Sequence, residues 1–253
     1  MNMKISRNGW IIATAGLCLV AMVACSQQSS PAPSSTKTAV ASNNSAPTLT
    51  PTGPLTRLTQ RSGSKMRLEG TSTAHDWRSE SGLILGYLEV GPGFPLEPGQ
   101  KVTLGRLEAK GEARVKVNSL KSKNKDGSYY DDKMDDKMYN MMSYTNHPDI
   151  IFKITELTLK EPAKDASSPY AFDAKGDLAV AGVTNNISFP VNVLPMPEKD
   201  GEYRVKISGE VPLKMSQYGM EPATMIVIVK TADEVTVKFD WVVGAKKAGA
   251  EKK

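Results

Sequence analysis

The stretch Glu234–Val243, EVTVKFDWVV, decides the fold of this chain because its side chains alternate between apolar and polar as far as Trp241. A period of two is the pattern of a β-strand that has one buried face and one exposed face. The side chains of the predicted buried face are Val235, Val237, Phe239, Trp241 and Val243. The sequence therefore predicts a long, half-buried strand at this position.

The same alternation recurs along the chain between short turn signals that contain glycine, such as Asp126-Gly127-Ser128 and Asp200-Gly201. In one run the phase changes between Ile154 and Leu157, which indicates a β-bulge. Many one-sided strands with short connections favour a sandwich or a closed barrel, because each apolar face needs cover. The further runs are Ala113–Val117, Asp149–Lys160, Tyr170–Val180, Ile187–Val193 and Glu202–Leu213.

One segment, Tyr130–Tyr144, has a different period and reads YDDKMDDKMYNMMSY. Its methionines recur at helical spacing, and its aspartates lie in the first half, where they favour the helix dipole. We predict a short amphipathic helix whose methionine face covers one mouth or flank of the sheet. Calcium binding by the aspartates is disfavoured, because the segment lacks the glycine and terminal glutamate of an EF-hand loop.

The amino terminus has the features of a secretory signal over residues 1–24. Lys4 and Arg7 precede an apolar run that is shorter than the roughly 20 residues needed to span a bilayer. The run ends in Val20-Ala-Met-Val-Ala-Cys25, which resembles the lipobox of bacterial lipoproteins. Cys25 is then the acylated residue that attaches the chain to a membrane. The alternative is ordinary signal cleavage that leaves a free thiol at Cys25.

Composition divides the rest of the chain into three parts. Residues 25–60 are rich in Ser, Thr, Pro, Ala and Asn, which is typical of a flexible linker. Residues 61–245 have the length of one domain, and residues 246–253 are predicted to form a solvated basic tail. The two cysteines of the chain lie at positions 18 and 25, so the domain contains no disulfide.

The charge of the chain does not indicate a nucleic-acid partner. Removal of Lys4 and Arg7 with the signal takes the formal net charge from +5 to +3, and no basic stripe is interleaved with aromatic residues. The sequence offers no nucleophile–base pair, phosphate loop or acid/base pair of carboxylates, so we expect a protein that is not an enzyme. His75 and His147 are the only histidines and make a poor zinc site, and we expect His75 to bond backbone near the barrel end.

Five motifs follow one another along the chain: GTSTAHDW (Gly70–Trp77), His147–Phe152, Gly176–Val193, Ser208–Pro222 and Lys230–Asp240. This ordered series resembles the YceI-like family of lipid- or polyisoprenoid-binding proteins, in its often exported branch. The resemblance covers about Met66 to Val243. It implies an all-β fold, a single antiparallel lipocalin-like β-barrel of about eight strands with a short α-helical lid. It also implies that a long isoprenoid chain binds in the interior, with no other cofactor.

The side chains predicted to face the interior are the candidates for lining a lipid cavity. The alternation leaves open whether they line a cavity or fill a solid core, and a solid core would suit a structural or interaction protein. The candidates are Met134, Met138, Met142, Phe152, Ile154, Phe172, Leu178, Phe189, Val191, Val205, Ile207, Phe239 and Trp241.

The sequence also suggests where the protein is located. Ser26 rather than Asp follows Cys25, which resembles the sorting pattern of outer-membrane lipoproteins. We therefore expect a lipid-anchored protein of the bacterial cell envelope, on the outer membrane and facing the periplasm. Its partners would be a lipid ligand and the membrane, and its oligomeric state is left open.

Overall fold

The structure is a computed structural model that describes residues 53–222, 224–225 and 229–247. The predicted signal peptide (residues 1–24), Cys25 and most of the predicted linker lie outside the described residues. Among the described residues, no helix is both long and apolar enough to cross a membrane.

The described residues form thirteen strands and one α-helix, α1, at Asp132–Met141. Short 3₁₀ turns at Val117–Ser119 and Met215–Tyr218 interrupt the strand pattern. The strands are β1 (Thr56–Gln60), β2 (Lys65–Ser72), β3 (Trp77–Ser81), β4 (Leu85–Val90), β5 (Gly105–Leu107), β6 (Ala109–Lys116), β7 (Lys121–Lys123), β8 (Asp149–Glu161), β9 (Tyr170–Val180), β10 (Val183–Lys199), β11 (Glu202–Lys214), β12 (Thr224–Met225) and β13 (Val229–Lys246).

The strands close into a single antiparallel barrel. Hydrogen-bonded neighbours run in the order β1, β4, β6, β8, β9, β10, β11 and β13, and β13 pairs back with β1. Thr59 lies opposite Gly244 at this closure, and Gln60 lies opposite Val243. β2 also pairs with β13, along the part of β13 that precedes its contact with β1. β3 pairs with β2, and β7 pairs with β3, so these strands belong to the same barrel wall. The predicted eight-stranded barrel with one short helix is confirmed.

The period of two predicted β8, β9 and β11 to within one residue at each end, whereas β10 and β13 extend well beyond their predicted runs. β9 occupies Tyr170–Val180, the predicted run, and its residues alternate between buried and less buried. The register of β8 against β9 shifts between Ile154 and Glu156, which confirms the predicted bulge. A bulge adds one residue to one strand, so the inward face passes from Ile154 to Leu157.

Two predicted boundaries are wrong. The linker was expected to reach residue 60, but Thr56–Gln60 is a barrel strand, and the side chain of Leu58 is fully buried. Polar residues surround Leu58 in sequence, so the alternation was too short to detect. The tail was expected to begin at Lys246, which is the last residue of β13. Lys247, the next residue, forms ion pairs with Glu97 and Glu198.

One end of the barrel is filled with side chains. Phe94, which is 2% exposed, comes from the loop between β4 and β5 and packs against Phe172 with ring centroids 6.0 Å apart. The hydroxyl of Tyr170 donates to the backbone oxygen of Gln100 and fixes the same loop to β9. Val205 and Val243 are fully buried in this region. The loop therefore plugs this end of the barrel.

Gly86 is a position where the backbone requires glycine. Its φ is +123°, and a Cβ there would lie 1.8 Å from the backbone oxygen of Glu112 on β6. We expect Gly86→Ala to lower the free energy of unfolding by about 2 kcal/mol or more, through backbone strain and a clash that only a backbone shift can relieve. Chemical denaturation measures this change.

Gly82→Ala is the matched control for this substitution. Gly82 lies in the break between β3 and β4, and a Cβ added there would meet no atom within 4 Å. Its substitution should change the free energy of unfolding by less than about 1 kcal/mol. Equal effects at the two positions would contradict the assignment of strain to Gly86.

Candidate functional site

The half of the barrel opposite the plug is hollow. It contains a cavity of about 1110 Å³, which exceeds the roughly 300–1,000 Å³ of most ligand pockets. The strand ends that carry α1 and the 3₁₀ turn Met215–Tyr218 surround its mouth. The interior is thus neither wholly solid nor wholly open: side chains fill one end, and a large cavity occupies the other.

Most of the predicted candidates line this cavity. All three candidate methionines do so, as do the aromatic side chains of Phe152, Phe239 and Trp241. Several inward-facing apolar side chains, among them Phe152, Phe239 and Ile187, are only half-buried, because they border open space. The eleven lining candidates are Met134, Met138, Met142, Phe152, Ile154, Leu178, Phe189, Val191, Ile207, Phe239 and Trp241.

Two candidates do not line the cavity. Phe172 is 1% exposed and packs against Phe94, and Val205 is fully buried in the filled end. Both face inward as the alternation predicted. Alternation places a residue on a face but does not show how far along the barrel the plug reaches, so both were assigned to the wrong part of the interior.

A row of aromatic rings crosses the cavity wall. Phe152 on β8, Phe189 on β10 and Phe239 on β13 have successive ring centroids 5.1 and 6.1 Å apart. The strands between them carry Gly176 and Gly209, and a Cβ at either glycine would come within 2.9 Å of a neighbouring phenylalanine ring. The two glycines therefore make room for the rings, which meet across intervening strands.

Helix α1 covers part of the mouth. Asp131 caps its amino terminus, where the carboxylate accepts the backbone N–H of Lys133 at 2.6 Å. Met134, Met138 and Met141 lie on one helical face, and all three line the cavity. This confirms the predicted amphipathic helix and the direction of its methionine face.

Asp135 does more than interact favourably with the helix dipole, because its carboxylate also binds residues of β7 and so attaches the helix to the barrel. The residue is 1% exposed, and its carboxylate accepts the backbone N–H of Ser122 at 2.7 Å and the hydroxyl of Tyr129 at 3.0 Å. The ammonium group of Lys121 lies 3.1 Å from the same carboxylate. Burial alone would raise the pKa of Asp135, but the bonds from Ser122, Lys121 and Tyr129 hold that pKa below its usual value.

The motif GTSTAHDW forms the hairpin between β2 and β3 at the mouth. Its ends, Gly70 and Trp77, lie opposite each other, and a Cβ on Gly70 would come 2.3 Å from the indole ring of Trp77. The hydroxyl of Ser72 accepts the backbone N–H of His75 at 3.1 Å and donates to the His75 carbonyl at 2.8 Å. The Nδ1 of His75 lies 2.9 Å from the backbone oxygen of Asp76, as expected for a histidine that bonds backbone.

A second segment that borders the cavity was not among the predicted site residues. Met215, Tyr218 and Met220 lie in and just after the 3₁₀ turn that follows β11, and each is at most 8% exposed. Ser216 holds the turn to β13 through a bond from its hydroxyl to Asp233. The segment KMSQYGM has three apolar residues at irregular spacing, so neither strand nor helix periodicity detects it.

Charged and polar residues surround the apolar cavity at its mouth. Arg78, Lys123 and Lys125 lie on the β3–β7 side, and Lys214 and Glu234 lie on the β11–β13 side. Among the described residues, no group of three or more His, Cys, Asp or Glu side chains is arranged to hold a metal ion. The site is therefore an apolar cavity with a mixed-charge rim.

Comparison with known proteins relates the chain to one family. The YceI-like domain family matches residues 98–243, which is more than half of the 253 residues. The GTSTAHDW motif lies before the matched range. No curated protein matches the chain significantly.

Three solved structures are similar to the chain at low sequence identity. Burkholderia cenocepacia BcnA is 16% identical, with a TM-score of 0.49, and the match covers 71% of this chain and 95% of BcnA. A domain from Saccharophagus degradans, described as polyisoprenoid-binding and implicated in plant cell wall breakdown, is 12% identical, with a TM-score of 0.46 and coverage of 76% and 99%. A mutant of the Campylobacter jejuni YCEI protein is 15% identical, with a TM-score of 0.46 and coverage of 67% and 85%.

The assignment of the chain follows from the family match, which spans the strands from β5 to β13 and the helix that covers the cavity. It agrees with the resemblance that the ordered motifs gave. This chain belongs to the YceI-like family.

Proposed function

We propose that the barrel binds one long apolar chain of the polyisoprenoid type in its cavity, and that acylated Cys25 attaches the protein to the cell envelope. The cavity carries the first part of this proposal, because its wall is apolar and charged residues are confined to its rim. The ligand class comes from membership of the YceI-like family. We propose a binding function rather than a catalytic one.

The size and chemistry of the cavity suit an elongated hydrocarbon. Burial of one methylene group is worth about 0.8 kcal/mol, so about 20 such groups give a gross gain near 16 kcal/mol. If ordering and association consume about half of it, roughly 8 kcal/mol remains, which corresponds to micromolar affinity. Exposed ion pairs at the rim would add about 1 kcal/mol or less. Affinity therefore depends mainly on the length of the apolar chain.

Lipid extraction tests the binding proposal. We expect the full chain, purified from a bacterial host in a mild detergent, to release a long-chain lipid into organic solvent, with close to one lipid per protein by mass spectrometry. After delipidation, the protein should take up a prenyl alcohol saturably. Absence of both co-purified lipid and saturable uptake would exclude this function.

The attachment proposal needs a separate measurement. We expect the mature chain to begin at Cys25 and to be heavier than its polypeptide by the mass of its acyl groups. Cys25→Ser should abolish this added mass and move the protein from the membrane fraction to the soluble fraction. Lipid uptake by the cavity should be unchanged in this variant. A chain cleaved elsewhere, or one that carries a free thiol at Cys25, would contradict the attachment proposal.

A further inference from the structure

Methionine side chains are concentrated around the cavity. Met196, by contrast, lies on the outer face of β10, is half-buried and does not border the cavity. The seven lining methionines are Met66, Met134, Met138, Met141, Met142, Met215 and Met220. They come from β2, from α1 and its carboxyl end, and from the segment after β11, so three separate elements bring thioethers to one apolar space.

Two of these methionines are accessible. Met134 and Met141 are half-buried, whereas the other five are at most 9% exposed. Both lie on the helix that covers the mouth. The sequence has no cysteine after residue 25, so no thiol of the barrel competes for an oxidant. The thioethers of Met134 and Met141 are thus the accessible, easily oxidised sulfur atoms at the cavity.

We infer that Met134 and Met141 are an oxidation site that controls how tightly the cavity retains its ligand. The inference rests on the proposed binding of an apolar chain. A two-electron oxidant such as a peroxide transfers one oxygen atom to the thioether sulfur, and its second oxygen leaves as water. The sulfur is oxidised to the sulfoxide, and the peroxide is reduced. No bond to carbon breaks, and sulfoxide reductases can reverse the change.

The physical consequence follows from the position of the two side chains. A sulfoxide is a strong hydrogen-bond acceptor, and its oxygen atom loses hydration wherever it is pressed against an apolar chain. The oxidised face of α1 should therefore favour water over contact with the ligand. This lowers the affinity for an apolar chain while the strands of the barrel remain paired.

The test compares binding of one neutral apolar probe, N-phenyl-1-naphthylamine, before and after oxidation of the full chain by hydrogen peroxide. Peptide mass spectrometry reports which methionines are oxidised, and far-UV circular dichroism reports whether the barrel remains folded. We expect sulfoxides at Met134 and Met141, and a loss of at least tenfold in affinity. Treatment with methionine sulfoxide reductases should restore the affinity.

Two variants separate this site from oxidation in general. In the double variant Met134→Leu and Met141→Leu, which conserves apolar volume, peroxide treatment should change probe affinity by no more than about twofold relative to the same variant before treatment. Met196→Leu removes an equally half-buried methionine on the outer face and should lose affinity as the native chain does. Unchanged affinity with sulfoxide present at both positions, or an equal loss in the double variant, would overturn the inference. A native chain that binds no probe would instead overturn the proposed function, and the inference with it.

Discussion

Asp135→Ala should lower the free energy of unfolding by about 3 kcal/mol and release α1 from the barrel. The carboxylate is almost fully buried and accepts hydrogen bonds from the backbone N–H of Ser122 and the hydroxyl of Tyr129. It also forms an ion pair with Lys121. Alanine leaves the buried N–H of Ser122 without an acceptor, and a buried unpaired group costs about 1–3 kcal/mol. Loss of the charge-assisted bonds adds a comparable amount. Denaturant unfolding measures the total.

The neighbouring residue provides the control. Asp136 is exposed on the same helix, so Asp136→Ala changes the charge of α1 equally without removing a buried bond. It should alter the free energy of unfolding by less than about 0.5 kcal/mol. Hydrogen exchange of α1 should accelerate in Asp135→Ala and not in Asp136→Ala. Similar behaviour of the two variants would show that Asp135 does not hold the helix in place.

The dependence of stability on pH gives an independent test of how much the Asp135 carboxylate stabilises the fold. Because the folded state lowers the pKa of Asp135, the ionised form stabilises the fold above the usual pKa of 3.8. That contribution is lost as the pH falls through the lowered pKa, so the native protein should lose stability below about pH 4. Asp135→Asn, which cannot ionise, should show a smaller loss over this range. If the free energy of unfolding fell equally with pH in both proteins, Asp135 would not be the source of this pH dependence.

The role of Asp135 shows why the sequence predicted the helix but not how it is held. Local spacing alone determined the helix and its methionine face, because a period of 3.6 places Met134, Met138 and Met141 on one side. Asp135 looked like one of several acids at a helix start. Its partner, the backbone N–H of Ser122, is thirteen residues away and has no side-chain signature in the sequence. A sequence pattern based on residue types therefore cannot predict a hydrogen bond to the backbone.

The sequence predicted which side chains face the interior of the barrel, but not whether they border the cavity or the filled end. Alternation identified inward-facing residues on every long strand, and it was correct for Phe172 and Val205 as well as for Phe239. Whether such a residue meets a cavity or a plug depends on Phe94, which comes from an irregular loop without periodicity. Gly176 and Gly209 leave space inside the barrel, and phenylalanine rings from neighbouring strands occupy that space, which the sequence does not show.

A substitution that fills the cavity should abolish lipid binding and leave the barrel folded. Ala113 on β6 lines the cavity and is only half-buried, so the space in front of its methyl group is open. In Ala113→Trp the indole would occupy the volume of about six methylene groups of ligand. At about 0.8 kcal/mol each, the binding free energy should fall by roughly 5 kcal/mol, which is more than a thousandfold in affinity.

The stability of the same variant shows whether the cavity is truly empty space rather than a tightly packed core. An indole that enters an existing apolar cavity buries surface without strain, so the melting temperature should stay constant or rise. Overpacking of a solid core would instead destabilise the protein by about 1–3 kcal/mol. Mass spectrometry of solvent extracts and thermal unfolding of one preparation measure both effects.

Ala171→Trp is the matched control for the filled cavity. Ala171 is equally half-buried but lies on the outer face of β9, between the buried side chains of Tyr170 and Phe172. The same indole placed there adds apolar surface outside the barrel and should leave lipid content unchanged. If both tryptophan variants keep their lipid, the ligand lies elsewhere on the protein. If only Ala113→Trp loses it while remaining folded, the ligand occupies the cavity.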